Sequence, residues 1–549
     1  MAWITHRVTN QTPPLSDINL YASHLAFRQC VNALAGDQFD DALHRYGRLM
    51  GSEHVQHLAT QANRYPPEAV LWDAGGRRVD EVHFHPAWHQ LMSLGFSYGL
   101  HCSAWSGRPH AHLGRAAHFF LHGQTEAGTL CPITMTSAAL PLLRHQPALA
   151  SFTEKMSQRD YDEHDIAWPD KTAVMVGMGL TEKQGGSDLR GVTTRAYRTD
   201  QGVAAMPEGS ADSHYLLTGH KWFLSSPTSD AHLVLARHDD VLSCFFVPRF
   251  LADGRRNAVR IQRLKDKVGN RSNASAEIEF EDATGMLVGE PGRGIAQLIE
   301  MASTTRLDCV LGSAALLRQA VVLAVRHARH RRAFGKPLVS QPLMQPVLAD
   351  LALESEAATL LALHLAHAFD DETDRAQAWR RILVPAAKFW VCKRAVAAVG
   401  ECMEVLGGNG YIETGPLARL YREAPVNSIW EGAGNIMCLD VLRAMSREPA
   451  LTDALFDDLS HGCAGDAVLA RQLADLVQLV DLDDGHRAAA ARRLSALIVL
   501  LAQAVLLRRH APSTVADAFI ATRFAYRPGV LGDVPVGTAL PLIDRAWPG

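Results

Sequence analysis

Three segments of this chain place glycine, hydroxyl and carboxylate groups where they could handle a ligand. The first is Met178-Gly179-Leu180-Thr181-Glu182-Lys183-Gln184-Gly185-Gly186-Ser187-Asp188. Its paired glycines allow close backbone approach, and the Thr181 and Ser187 hydroxyls offer uncharged hydrogen bonds. Such a loop can wrap the polar edge of a ring or a pyrophosphate, although Gly-Gly-Ser-Asp is also ordinary turn chemistry. Its spacing is neither GxGxxG nor that of a Walker loop, so Rossmann and P-loop readings gain nothing from it. The second is Leu406-Gly407-Gly408-Asn409-Gly410-Tyr411, where three glycines exceed the one that a helix stop requires. The surplus favours a ligand or a neighbouring subunit against the backbone. The third is Ser428-Ile429-Trp430-Glu431-Gly432-Ala433-Gly434-Asn435. An apolar setting between Trp430 and Gly432 would raise the Glu431 pKa and suit it to general-base work. The plainer alternative is a helix start, with Glu431 in the first turn and favoured by the helix dipole.

The elements that must position these segments change along the chain. Residues 1–173 read as an N-terminal helical domain, punctuated by Tyr65-Pro66-Pro67 and Asp73-Ala74-Gly75-Gly76, with little strand alternation. Residues 174–290 carry short apolar runs: Tyr215 to Thr218, Lys221 to Ser225, Ala231 to Ala236, Ser243 to Val247, Val259 to Leu264 and Ala276 to Phe280. Gly219-His220 and Pro227-Thr228-Ser229 read as turns between them, and the pattern predicts a small antiparallel barrel or sandwich. Residues 291–446 return to long helices, at Cys309 to His330, Leu343 to Phe369 and Pro385 to Leu406, the pattern of a four-helix bundle. Arg447-Glu448-Pro449 marks a boundary, and 447–549 forms a further helical extension. The fold class is mainly α with a central β domain.

Composition narrows the function classes. The 549 residues are 47% hydrophobic and 20% charged with a formal net charge of −4, which excludes disorder and a wholly basic nucleic-acid coat. Nine scattered cysteines form no CxxC pair, and the absence of an apolar leader predicts a cytoplasmic protein with reduced thiols. Leu494 to Leu507 is the most membrane-like stretch, but it is short and flanked by Arg493 and Arg508, which favours a buried core helix and no membrane partner. His83, His85, His89, His118 and His122 lack the Cys or carboxylate partners of a zinc set, so no metal is expected.

In order, the three segments resemble the acyl-CoA dehydrogenase family, whose patterns include TE-x-x-x-GSD, G-x-K-x-(W/F)-I-(T/S), R-x-x-FG, GGNGY and (Y/W)-EG. The matches are Thr181-Glu182 with Gly186-Ser187-Asp188, Gly219-His220-Lys221-Trp222-Phe223-Leu224-Ser225, Arg331-Arg332-Ala333-Phe334-Gly335, Gly407 to Tyr411, and Trp430-Glu431-Gly432. Arg77 to His89, Cys131 to Thr136 and the C-terminal extension narrow the resemblance to the AidB branch, flavoproteins of the response to DNA alkylation.

The resemblance implies FAD. Met178 to Ser187 would line the flavin, with Thr181 on its pyrimidine edge. Phe223, Leu224 and Ser225 would pack on the isoalloxazine, with Ser225 near N5. Arg331 and Phe334 of a neighbouring subunit would hold the adenosine diphosphate, implying a homotetramer. Gly407, Gly408, Asn409 and Gly410 would meet the same ligand, and Ile429, Trp430, Gly432, Ala433, Gly434 and Asn435 would close over it. Glu431 would take the proton α to a thioester carbonyl, and Trp430 would disfavour long acyl chains, leaving weak activity on short branched acyl-CoA.

The extension bears on nucleic acid. Residues 453–484 are rich in aspartate, whereas 485–527 carry Arg487, Arg492, Arg493, Arg508, Arg509, Arg523 and Arg527 against Asp517. Such arginines can engage duplex DNA phosphates without reading sequence. A solvated helix face explains a lone charge run equally, and the AidB resemblance is what favours DNA. The competing expectations are a catabolic short-chain dehydrogenase without a DNA role, and a non-enzymatic DNA-shielding flavoprotein.

Overall fold

A computed structural model describes residues 4–199, 214–525 and 536–547. The chain divides into two compact units. One comprises Met1–Gln56, Ala116–Thr125 and Cys309–Gly549, and the other His57–Arg115 and Glu126–Asp308.

The unit of His57–Arg115 and Glu126–Asp308 opens with an antiparallel hairpin, β1 (Glu68–Trp72) and β2 (Arg78–His83), where the sequence suggested helices and loops. Its turn is made by Asp73, whose carboxylate accepts the Gly75 and Arg77 amides, each at 2.8 Å. Two flanking runs this short give too little alternation to be read as strands.

Seven further strands follow: β3 (Val176–Gly179), β4 (Arg195–Arg198), β5 (His214–Ser225), β6 (Ala231–His238), β7 (Val241–Pro248), β8 (Val259–Leu264) and β9 (Ser275–Val288). They pair in the order β3-β5-β4-β6-β7-β9-β8, and the β3–β6 and β5–β9 pairings close the sheet on itself. The predicted barrel is present, although β6 pairs in parallel with both β3 and β4. Gly219-His220 does not separate two strands as expected. β5 runs through it with a register shift after Leu217. Gly219 sits at φ 149°, and a Cβ there would fall 2.7 Å from the Thr194 Cα, so glycine permits a bulge and close backbone approach. Successive β6 residues feed opposite cores. Leu233 and Leu235 pack with Phe152 and Phe246, while Val234 and Ala236 pack with Phe245 and Ile278. Burial on both faces explains why this run is continuously apolar.

The other unit is helical. The helix expected at Leu343 to Phe369 is Met344–His367, buried along most of its length and packed against Leu25–Ala35, Val384–Val405, Asp484–His510 and Val536–Ala546. The helix read at Cys309 to His330 starts earlier, at Gly294, and its 294–308 portion is counted with the barrel-bearing unit. Pro385 to Leu406 corresponds to Val384–Val405, and Gly407, at φ 60°, caps the exit. In Asp484–His510, residues Leu494 to Leu507 mostly turn inward, as an all-round apolar helix must. That helix and Gly294–His330 are long and apolar enough to cross a membrane, but 78% and 94% of their apolar windows are buried within the protein.

Buried ion pairs lock these helices. Glu354 accepts from Arg394 at 2.8 Å and Arg523 at 3.0 Å. Burial alone would raise the Glu354 pKa, but the two guanidinium groups hold it down at about 2. In the other unit Asp165 is likewise held at about 2, Arg249 and Arg256 outweighing its desolvation. Carboxylates depressed in the folded state stabilise it above their unfolded pKa and lose that contribution as pH falls through the folded value. The urea midpoint is therefore expected to be flat above about pH 5 and to fall steeply between about pH 4.5 and 2. A midpoint unchanged down to pH 3 would contradict these assignments.

Candidate active site

The candidate residues fall in both units, and each set is built locally. After β3 the chain makes a tight turn in which the Glu182 amide donates to Gly185 O at 3.2 Å and the Gly185 amide returns to Glu182 O at 3.0 Å. A Cβ on Gly186 would fall 2.5 Å from Thr181 Oγ1, so that glycine is dictated by the threonine, whereas Gly185 faces open space. The loop is fastened to β5 by the Trp222 amide, which donates to Thr181 O at 2.8 Å, and by Gly179 pairing with Leu224.

Glu182 departs from the expected role. Its side chain is fully buried and accepts from Lys221 Nζ at 2.7 Å, Thr194 Oγ1 at 2.5 Å and Thr193 Oγ1 at 2.8 Å. Burial would push the carboxyl up, but the Lys221 ammonium and the threonine donors hold it well below the usual carboxylate range. The side chain is an internal brace, and only its backbone is left for a cofactor. Lys221, read as part of an apolar run, is the missed partner. It is fully buried and also donates to Leu235 O at 2.8 Å.

β5 alternation separates the next three residues. Phe223 is 48% exposed, Ser225 is half-buried with its hydroxyl 3.3 Å from that of Ser275, and Leu224 is wholly buried in the barrel core. The Leu224 side chain therefore cannot pack on an isoalloxazine, because the strand points it inward. Lys265 Nζ lies 3.3 Å from the Trp222 ring centroid and 4.7 Å from that of Phe223. An exposed aromatic ring on β5, with the Ser225 hydroxyl two residues on and Thr181 in the loop fastened to that strand, suits a planar ring with polar edges, so the residues present fit a flavin.

In the helical unit, β10 (Arg332–Ala333) and β11 (Lys336–Pro337) form a hairpin whose turn is Phe334 and Gly335, at φ 51° and 79°. Phe334 is 96% exposed, and Arg331 spends one donor on Asn10 O at 2.6 Å. In the glycine-rich turn, a Cβ on Gly410 would fall 2.3 Å from Met403 O, so the close approach to the end of the preceding helix, Val384–Val405, requires glycine there. Gly407 and Gly408 face open space, the surplus that sequence reasoning assigned to a ligand or neighbour. Asn409 is exposed, with its amide 3.3 Å from Gln11 Oε1.

Glu431 sits at φ 57°, a left-handed conformation that costs a residue with a side chain roughly 1–2 kcal/mol. Gly432 follows at φ 103°, where a Cβ would fall 2.5 Å from Met437 Cε. The next helix, Gly434–Arg447, is capped by Ala433, so Glu431 precedes it and is not in its first turn as the plainer alternative had it. Glu431 is half-buried, and Trp430 is pinned through Nε1 to Asn427 Oδ1 at 3.0 Å. Ile429 and Asn435 are exposed around this turn.

The histidines are used locally: His85 caps Pro86–Ser97, His89 meets Tyr161 at 3.0 Å and His122 meets Tyr46 at 2.7 Å.

The arginine cluster is largely neutralised. Arg508 pairs with Asp466 and Asp517, Arg509 with Asp458 at 3.2 Å, and Arg487 with Asp484 at 2.9 Å. Arg523 is buried against Asp350 at 2.6 Å and Glu354 at 3.0 Å, which removes it from any DNA-contacting surface. The acidic stretch that sequence reading set apart supplies several of these partners. Arg492 and Arg493 are exposed and have no ion-pair partner among the described residues. Arg527 lies outside the described residues.

The closed barrel with its braced loop and open Phe223, together with a helical unit presenting Glu431, defines an acyl-CoA dehydrogenase. Comparison agrees. Residues 10–163 match the adaptive response protein AidB N-terminal domain, 177–283 the acyl-CoA dehydrogenase middle domain and 292–446 the acyl-CoA dehydrogenase C-terminal domain. The chain is 50% identical over 460 residues to AidB of Escherichia coli strain K12, covering 83% of each. It is 30% identical over 430 residues to acyl-CoA dehydrogenase family member 11 of Caenorhabditis elegans, covering 74% of this chain and 66% of that one. Caenorhabditis elegans ACDH-11 in complex with C11-CoA superposes at a TM-score of 0.86, 25% identical over 98% of this chain and 95% of the other. A Bacillus anthracis acyl-CoA dehydrogenase complexed with FAD shares the fold at a TM-score of 0.62 and 17% identity, over 95% of this chain and 85% of that one. The chain belongs to the AidB branch of the acyl-CoA dehydrogenase family, and as a member it is an FAD-dependent oxidoreductase.

Proposed function

We propose that this protein oxidises short or branched acyl-CoA thioesters of the isovaleryl-CoA type, slowly, with Glu431 as the base, and that it also binds duplex DNA without sequence preference. The observation that carries the first half is Glu431 itself, a carboxylate held left-handed on a turn between Trp430 and Gly432. In this reading Glu431 removes the α proton, and hydrogen bonds to the thioester oxygen stabilise the developing enolate. Bound FAD supplies the hydride acceptor. Trp430, fixed by Asn427, narrows the acyl end and disfavours long chains. The exposed Phe334, Gly407 and Gly408, with Arg331 half-buried beside Phe334, support a homotetramer, since they would suit a ligand shared with a neighbouring copy. The protein would be cytoplasmic.

DNA binding is favoured by Arg492 and Arg493, adjacent and exposed on Asp484–His510, and by the AidB membership. A role in protection from alkylation damage follows from that reading. One preparation separates the possibilities through its visible absorbance, its dye-coupled turnover of isovaleryl-CoA and its affinity for duplex DNA in sodium chloride. The double variant Arg492→Glu/Arg493→Glu is expected to flatten the slope of log affinity against log salt by about two contacts, at roughly 0.9 per phosphate. Unchanged binding in that variant would remove this helix from the interface. Brisk turnover with no DNA binding would instead favour a catabolic dehydrogenase.

A further inference from the structure

We infer that Lys388 is a positioning residue for Glu431, holding the turn that presents the carboxylate; this rests on Glu431 being the base. Lys388 lies near the start of Val384–Val405 and is 1% exposed. Its Nζ donates to the Gly432 carbonyl at 2.8 Å, and no carboxylate lies within ion-pair distance of it among the described residues. A buried ammonium satisfied by one carbonyl is an expensive arrangement on a helix whose other buried residues, among them Ala386, Ala387 and Val391, carry no charge.

What the ammonium grips is the carbonyl of Gly432, the residue after Glu431, in the peptide that joins Gly432 to Ala433. Glu431 at φ 57° and Gly432 at φ 103° form a turn that does not sustain itself, because left-handed residues persist only where the surroundings over-determine them. The same helix supplies the remaining support. A Cβ on Gly434 would fall 2.6 Å from Lys393 Cε and 3.2 Å from the Phe389 ring, so the chain beyond the turn lies directly on Val384–Val405. Lys388 grips the Gly432 carbonyl while Phe389 and Lys393 back the chain at Gly434. The direction of the carboxylate is thus set by a helix that carries no reacting group. Abstraction of a weakly acidic α proton depends steeply on alignment, so loosening this grip should act on turnover and leave substrate binding alone.

The test uses flavin-loaded, full-length protein with isovaleryl-CoA and a dye acceptor. Lys388→Met removes the donors at similar volume, and Lys388→Gln keeps a donor. The Met variant is expected to lower kcat about a hundredfold with KM within about threefold of wild type, and the Gln variant to recover at least about tenfold of that loss. Hydrogen–deuterium exchange should quicken in residues 430–437 of the Met variant and stay unchanged along 389–405. Wild-type kcat in Lys388→Met overturns the inference. So does faster exchange throughout Val384–Val405, or equal loss in the Met and Gln variants, since each marks a merely structural lysine. Glu431→Gln run in parallel separates the two layers. If it is inactive while Lys388→Met is wild-type, only Lys388 is dismissed, and if it retains full turnover, the base reading falls and the inference with it.

Discussion

Glu431→Gln is expected to retain the yellow flavin spectrum and to lose dye-coupled oxidation of isovaleryl-CoA by about a thousandfold or more, within the range of general-base removal. Glutamine has the same length and adopts the left-handed turn at similar cost, so Gly432 keeps its place against Met437 and the Lys388 bond to Gly432 O remains. The groups that fit a flavin, Thr181, Phe223 and Ser225, are untouched. Only the proton acceptor is gone, and no other group within the turn 429–435 is a carboxylate. Turnover and absorbance on one sample decide the matter, and a coloured, fully active variant would take Glu431 out of the role.

Lys221→Met is expected to destabilise the protein by about 3–5 kcal/mol, because it strands the Glu182 charge in the barrel wall. The threonine donors at 193 and 194 remain, which places the loss toward the lower end. The turn of Glu182 to Gly185 should loosen with it, and flavin should be lost on gel filtration. Lys221→Met combined with Glu182→Gln removes both charges and should recover most of the stability, since a buried pair replaced as a unit is often neutral. Urea unfolding of the single and double variants checks this. A single variant as stable as wild type would mean that Glu182 is neutral in the folded protein.

The sequence made some of this legible and hid the rest for physical reasons. Periodicity located the long helices and the strand-rich middle, and local spacing identified the loop at 178–188 and the turn at 429–435. Those signals are short-range. The brace on Glu182 comes from Lys221, 39 positions away, and the partners of Arg523 lie 173 and 169 positions away, so no local pattern announces either. The inward face of Leu224 depends on strand register, which neighbouring residues do not disclose. A charge run reports composition, whereas the potential it produces depends on which aspartates fold against it. Glu431 was legible as a special residue, but its left-handed backbone and the lysine beneath it were not.

Arg318 has a consequence for the two ends of the polypeptide. It is almost completely buried, and its guanidinium donates to Ala546 O near the C-terminus and to Ser23 O near the N-terminus, the latter at 3.0 Å. One side chain midway along the sequence thereby clasps both ends of the chain. A truncation that deletes Ala546 would leave a guanidinium sealed in the interior with part of its solvation withdrawn, a penalty felt far from the cut. The final turn of helix is for this reason part of the keystone of the helical unit, although it stands 228 positions from the residue it completes.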